Sequence, residues 1–133
     1  MPNIIYQTAS TITAAQLADI FIRSGINRPS DDLPRMAQML THANLLVTAW
    51  DGEKLVGVAR ALTDFCFSCY LSDLAVDQEY QHSGIGKQLI DIMHNKIGPE
   101  TSLLLLAAPS AMGYYGKVGF EAVPNGWIIK RSK

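Results

Sequence analysis

The chain has 133 residues, 48% of them hydrophobic, with 11 basic and 12 acidic side chains and a formal charge of −1. Such a chain fits one domain with a real core and excludes a mainly disordered protein. The near-neutral charge excludes an electrostatic grip on nucleic acid, and no apolar run approaches the roughly 20 residues of a membrane span. No basic segment followed by an apolar stretch opens the sequence, so the expected location is the cytoplasm, with no membrane partner.

In chain order, Asn3–Gln7 reads as a short first strand. Thr13 and Gln16 have capping-box spacing and predict a helix through Ser24, stopped at Gly25. The stretch Arg28–Ala43 predicts a second helix, with Ser30 as its cap and acids in its first turn. Met36, Met39 and Leu40 lie on one side of it. Leu45–Trp50, the turn Asp51–Lys54 and Leu55–Leu62 predict a hairpin, with Asp51-Gly52 as its turn signal.

Cys66 and Cys69 have C-x-x-C spacing just before the next strand pattern, Ser68–Val76. A zinc site would need a second pair of ligands, and His42, His82 and His94 are scattered. A redox pair normally opens a helix after a strand, whereas this one leads into a strand. The reading is two small, partly buried hydrophobes and no metal.

Next come Gly84 and Gly86, directly in front of a helical stripe of Ile85, Leu89, Ile90, Ile92, Met93 and Ile97 that Gly98-Pro99 ends. The first turn of a helix carries unpartnered N–H groups and partial positive charge, and glycine lets an anion such as phosphate approach them. An isolated Gly-x-Gly equally suits a plain turn, so the context has to decide. Ser102–Ala108 is apolar throughout, as in a strand buried on both faces. A short helix near Ser110–Val118 follows, then strands around Glu121–Val123 and Trp127–Lys130.

The predicted class is α/β: a mixed, mostly antiparallel sheet of about six to seven strands flanked by about four helices, in one domain. One parallel crossover, between Ser68 and Ala108, holds the glycines. The loop therefore leaves the carboxyl end of a strand, where open α/β sheets bind ligands.

Two phosphate-loop patterns fail. A dinucleotide fingerprint needs a third glycine where Leu89 stands. A Walker A loop needs Ser or Thr where Gln88 stands, and Gly where Gln81 stands. Gln81-x-x-Gly84-x-Gly86 after a strand instead resembles the acyl-CoA loop of the GNAT acetyltransferase superfamily. Tyr114–Phe120 (YYGKVGF) is similar to that family's Phe/Tyr-Tyr-x-Lys-x-Gly-Phe segment. The element order agrees from the hairpin onward.

The resemblance implies an acetyl-CoA-dependent N-acetyltransferase acting on a primary amine of a small molecule or protein. It implies that backbone N–H groups of His82, Ser83, Gly84, Ile85, Gly86 and Lys87 receive the diphosphate, with Gln81 shaping the turn. It implies that pantetheine runs beside Leu74, Ala75 and Val76 like an added strand. The amine attacks the acetyl thioester to give a tetrahedral intermediate that expels coenzyme A. Tyr115 is the implied acid for the leaving thiolate: a phenol titrating near about 10 can donate to a thiolate whose conjugate acid is near about 8.5. Asp73, beside the pantetheine strand, is the candidate base, with Asp64 weaker.

Two positions depart from the family: Ala108 stands where Asn is common, and Gly116 replaces a larger residue. The alternative reading is a non-catalytic acyl-CoA sensor or partner module of the same fold. A second copy of the chain is a candidate partner, and the acceptor amine is not identified. Asp31 and Asp32 are placed where they would attract a cationic amine, or serve the helix dipole.

Overall fold

The computed structural model describes residues 2–133. Five strands form one sheet in sequence order: β1 (Ile4–Gln7), β2 (Leu45–Asp51), β3 (Lys54–Thr63), β4 (Ser68–Val76) and β5 (Ser102–Leu104). The first three junctions are antiparallel and β4–β5 is parallel. Four helices accompany them: α1 (Ala14–Ser24), α2 (Leu33–His42), α3 (Ile85–Ile97) and α4 (Met112–Lys117). A parallel pair needs a long crossover, and α3 supplies it.

Both faces of the sheet are covered. On one, Leu45, Val47, Ala49, Val56, Ala59 and Ala61 pack against Ile85, Leu89, Ile90, Met93 and Ile97 of α3. On the other, Leu55, Val58 and Ala75 pack against Leu17, Ile20 and Phe21 of α1 and Met36 of α2. Fully burying one such side chain contributes about 1.5–3 kcal/mol, so the central strands are the most firmly held part of the molecule.

Helix ends follow local chemistry. Thr13 Oγ1 accepts from Gln16 N at 3.1 Å, and Gln16 Oε1 accepts from Thr13 N at 2.9 Å, which completes the capping box. Gly25 ends α1 at φ 81°. The cap of α2 is Asp32 rather than Ser30: Arg35 N donates to Asp32 Oδ1 at 3.1 Å. Pro34 decides this, because its missing N–H is harmless only in a first turn. A cap at Ser30 would place that proline where the ladder needs a donor.

The C-terminal part differs from expectation. β5 ends at Leu104, and neither Glu121–Val123 nor Trp127–Lys130 forms a ladder, so the sheet has five strands instead of six or seven. Leu106, Trp127 and Ile129 are 62%, 96% and 100% exposed, whereas Ser102–Ala108 was expected to be buried on both faces. Apolar alternation makes a strand only where a neighbouring edge lies within hydrogen-bonding reach. Here β4 leaves β5 after three residue pairs.

Candidate active site

The site begins with an irregularity in β4. Arg60 of β3 pairs with Asp73, but the next residue, Ala61, pairs with Leu71, so Ser72 has no opposite number. This β-bulge shifts the alternation by one residue. Cys69 and Leu71 point to the α3 face before it, and Leu74 and Val76 point there after it, while Asp73 and Ala75 turn to the α1–α2 face. On its other side β4 pairs with β5 only from Ser68↔Ser102 to Tyr70↔Leu104. From Leu71 to Val76 that edge of β4 is unpaired, and a gap opens through the sheet. Leu74, Ala75 and Val76 lie along it, with their backbone available to an extended amide-bearing ligand.

At the far end of the gap sits the glycine loop. His82 and Gly84 both have positive φ, 66° and 89°, which swings the chain sharply into α3. No side chain caps α3, and a Cβ at Gly84 would meet nothing within 4 Å. The earliest intrahelical donor there is Gln88 N to Gly84 O at 3.1 Å. The N–H groups of Ile85, Gly86 and Lys87 therefore face an open approach, and this suits an anionic guest. Gln81 Nε2 ties the loop down, donating to Val76 O at 2.9 Å. Ser83 Oγ donates to Tyr80 O. His82 and Ser83 are exposed, and the Ile85 side chain is buried in the core, leaving only its backbone to the loop. Lys87 is paired with Asp91 at 2.7 Å on the surface of α3.

The two tyrosines of α4 diverge. Tyr115 packs on the α3-face core, edge-on to Phe120 with ring centroids 5.5 Å apart. Tyr114 reaches the start of α3 instead, where a Cβ on Gly86 would lie 2.7 Å from its hydroxyl. Burial pushes the Tyr115 phenol up, the neighbouring Tyr114 adds to this, and the charge of Arg28 opposes it. Burial also raises the Tyr114 phenol, with Asp91 adding and Lys87 opposing. Both stay protonated at neutral pH and can donate. No spacing in the sequence foretells the place of Tyr114 against the glycine loop.

Asp73 is fully buried and accepts from two guanidiniums. Arg28 Nε donates to Oδ1 at 2.5 Å, and Arg60 Nε donates to Oδ2. Arg28 also donates to Ser72 O at 2.9 Å, and Arg60 donates to Ser72 Oγ at 2.9 Å. The bulge is thus stitched to β3 and to the α1–α2 connection by one carboxylate. Asp64 caps its own turn, accepting from the backbone N–H groups of Cys66, Phe67 and Ser68, and these hold its carboxyl at about 2. Neither arginine stood out in the sequence. The usable signal was the buried aspartate itself, since a carboxylate in a strand core needs cationic partners.

The thiols of Cys66 and Cys69 are free, the first exposed and the second buried. Desolvation and the Asp64 carboxylate push the Cys66 thiol up, and burial does the same for Cys69, so neither is an activated thiolate. Exposed Cys66 departs from the expected partly buried pair.

Residues 18–127 match the family model of the acetyltransferase (GNAT) domain. The chain is 37% identical over 86 residues, 57% of its length, to the chloroplastic GCN5-related N-acetyltransferase 2 of Arabidopsis thaliana, and covers 32% of that protein. A histone acetyltransferase of Glycine max is 35% identical over 79 residues, 56% of this chain and 33% of that one. The chain thus spans about a third of the length of these curated relatives. A probable acetyltransferase of unknown function from meticillin-resistant Staphylococcus aureus superposes with a TM-score of 0.83. That likeness holds at 21% identity and covers 97% of this chain and all of the other. An aminoglycoside acetyltransferase from an uncultured soil sample, solved with sisomicin, gives 0.65 at 18% identity over 96% of this chain and 97% of its own. With a family model spanning most of the sequence and a fold that superposes over 97% of its length on an acetyltransferase structure, this chain belongs to the GNAT acetyltransferase family.

Proposed function

We propose that this chain is an N-acetyltransferase domain that moves the acetyl group of acetyl-CoA to a primary amine. One observation carries the reading. The gap along Leu71–Val76 has the uncapped N–H groups of α3 at one end and the half-buried phenol of Tyr115 on the same face. That arrangement suits a diphosphate at the loop, an extended amide chain along β4 and a thioester at the gap.

In the proposed reaction the amine nitrogen forms a bond to the thioester carbonyl carbon and the C–S bond breaks. Tyr115 donates its proton to the leaving sulfur, and the proton released by the amine restores the phenol through water. Tyr114, lying against Gly86, lines the approach to the loop. Asp73 has both oxygens engaged by guanidiniums, so its proposed part is to hold Arg28 and Arg60 in place rather than to take the amine's proton. A lysine-like amine is only ~0.04% neutral at pH 7, a deficit of about 4.6 kcal/mol. Less basic amines are therefore the favoured acceptors.

Tyr115→Phe tests the proposal, because it keeps the ring packed on Phe120 and removes the donor. Turnover should fall by roughly 10²–10⁴, the usual contribution of a positioned acid. Acetyl-CoA affinity should change by less than about 1 kcal/mol. Equal kcat in both proteins, with chemistry rate-limiting, would remove Tyr115 from the mechanism. Tight acetyl-CoA binding without coenzyme A release for any amine would favour the non-catalytic binding module.

A further inference from the structure

The gap between β4 and β5 connects the two faces of the sheet, and they differ in charge. The α3 face holds the glycine loop and Tyr115. On the α1–α2 face, two guanidiniums share one carboxylate, so the cluster of Arg28, Arg60 and Asp73 carries a net charge of +1. Arg60 is sealed, with its side chain 8% exposed, but that of Arg28 is 28% exposed.

Arg28 has donors to spare. Its Nε serves Asp73, one N–H of Nη1 serves Asn27 O, and one N–H of Nη2 serves Ser72 O. One N–H on each terminal nitrogen has no partner among the described residues, which leaves Arg28 two donors for a carboxylate. The guanidinium is fixed by these three bonds and stands 6.0 Å over the Phe21 ring, so little freedom is lost when a ligand docks. Its bonds to Asp73 and Ser72 hold it against β4 within the stretch Leu71–Val76 whose edge is unpaired, beside the proposed path of the thioester. On the same sheet face, the paired residues Leu62 and Tyr70 are 42% and 38% exposed and offer an apolar floor. Among the described residues no acid other than Asp73 is paired with Arg28.

We propose that Arg28 is the specificity-determining residue of the acceptor side, binding the carboxylate of an amine acceptor with an apolar body, of the kind found in amino acids. Its charge opposes polyamines and other multiply cationic acceptors. Asp31 and Asp32 do not reverse this: both are exposed, and Asp32 is occupied in capping α2. The inference rests on the acetyltransferase reading for the identity of the gap as the reaction centre, but it predicts binding on its own.

The test measures affinity by calorimetry on the whole protein saturated with coenzyme A, using leucine against leucinamide and phenylalanine against its amide. Wild type should bind each acid at least tenfold tighter than its amide, and spermidine should not compete. In Arg28→Gln and in Arg28→Lys, which keeps the charge without the guanidinium, the preference should fall to within about twofold, with coenzyme A affinity kept. Equal binding of acid and amide by wild type, binding of neither at millimolar concentration, or a preference that survives Arg28→Gln would each overturn the proposal. If Arg28→Gln fails to fold, the wild-type pairs and Arg28→Lys still decide. Release of coenzyme A from acetyl-CoA with any amine tests the acetyltransferase reading separately.

Discussion

The crossover from β4 through the glycine loop to α3 and the stretch that follows β5 have similar apolar content but opposite fates. In the crossover, Leu71, Ala75, Ile85, Leu89, Ile90, Met93 and Ile97 are all buried, and the loop is tied to the strand end through Gln81. After Leu104, only Leu105, Tyr115, Val118 and Phe120 lean on the core, while Trp127, Ile128 and Ile129 stand in solvent. The difference teaches that a hydrophobic pattern acquires structure from its neighbours. The crossover folds back over β2, β3 and β4, while the last stretch has only the short edge of β5 beside it.

The largest effect should come from Asp73→Ala. Removing the carboxylate leaves Arg60 buried without its partner and frees the α1–α2 connection, so stability should fall by about 3–5 kcal/mol in urea unfolding. A loss below about 1 kcal/mol would erase the energetic contrast between the two regions. Gly84→Val sharpens the comparison within the crossover. At φ 89° a branched residue strains the backbone by about 1–3 kcal/mol, although nothing lies within 4 Å to clash. Its side chain would also stand in the anion's approach and weaken acetyl-CoA binding at least tenfold, about 1.4 kcal/mol, by calorimetry.

The Asp64 turn should respond to acid locally. Its carboxyl is held at about 2 against a usual 3.8, so the turn's stabilisation is complete above the usual value and is lost as pH falls through the held one. The protection of the Cys66, Phe67 and Ser68 amides relative to their intrinsic exchange should fall across that window, and Asp64→Asn should flatten the response. The smallest effect belongs to Trp127→Ser. A side chain 96% exposed should shift stability by no more than about 0.5 kcal/mol. A loss several times larger would mean that the last stretch is packed after all.

Much of this contrast was legible in the sequence where a signal was local. The capping box of α1, the Asp51-Gly52 hairpin and the full extent of β4 follow from spacing and turn chemistry. The sharp glycine turn into α3 was legible because glycines before a helix have a physical purpose. Non-local features were not. Nothing in Arg28 or Arg60 announces that one aspartate will gather them, and no periodicity tells Trp127–Lys130 that β5 will be only three residues long. The place of Ser30 was misjudged because the restriction imposed by Pro34 outweighs cap preference.

The bulge at Ser72 carries a consequence for how this domain tolerates change in length. Because Ser72 is unopposed, deleting it would leave Leu71 and Leu74 on the α3 face and Asp73 on the other in plain alternation, whereas pairing it with every residue kept would exchange the two halves of the gap. In that flattened register Asp73 would be driven into the apolar layer beneath α3, and Leu74 would turn toward the arginines. Substitutions of Ser72 that keep its backbone in place cost one hydroxyl contact with Arg60. At this position, then, a residue can be lost without turning its neighbours over, whereas losing the bulge with every residue kept would turn them all.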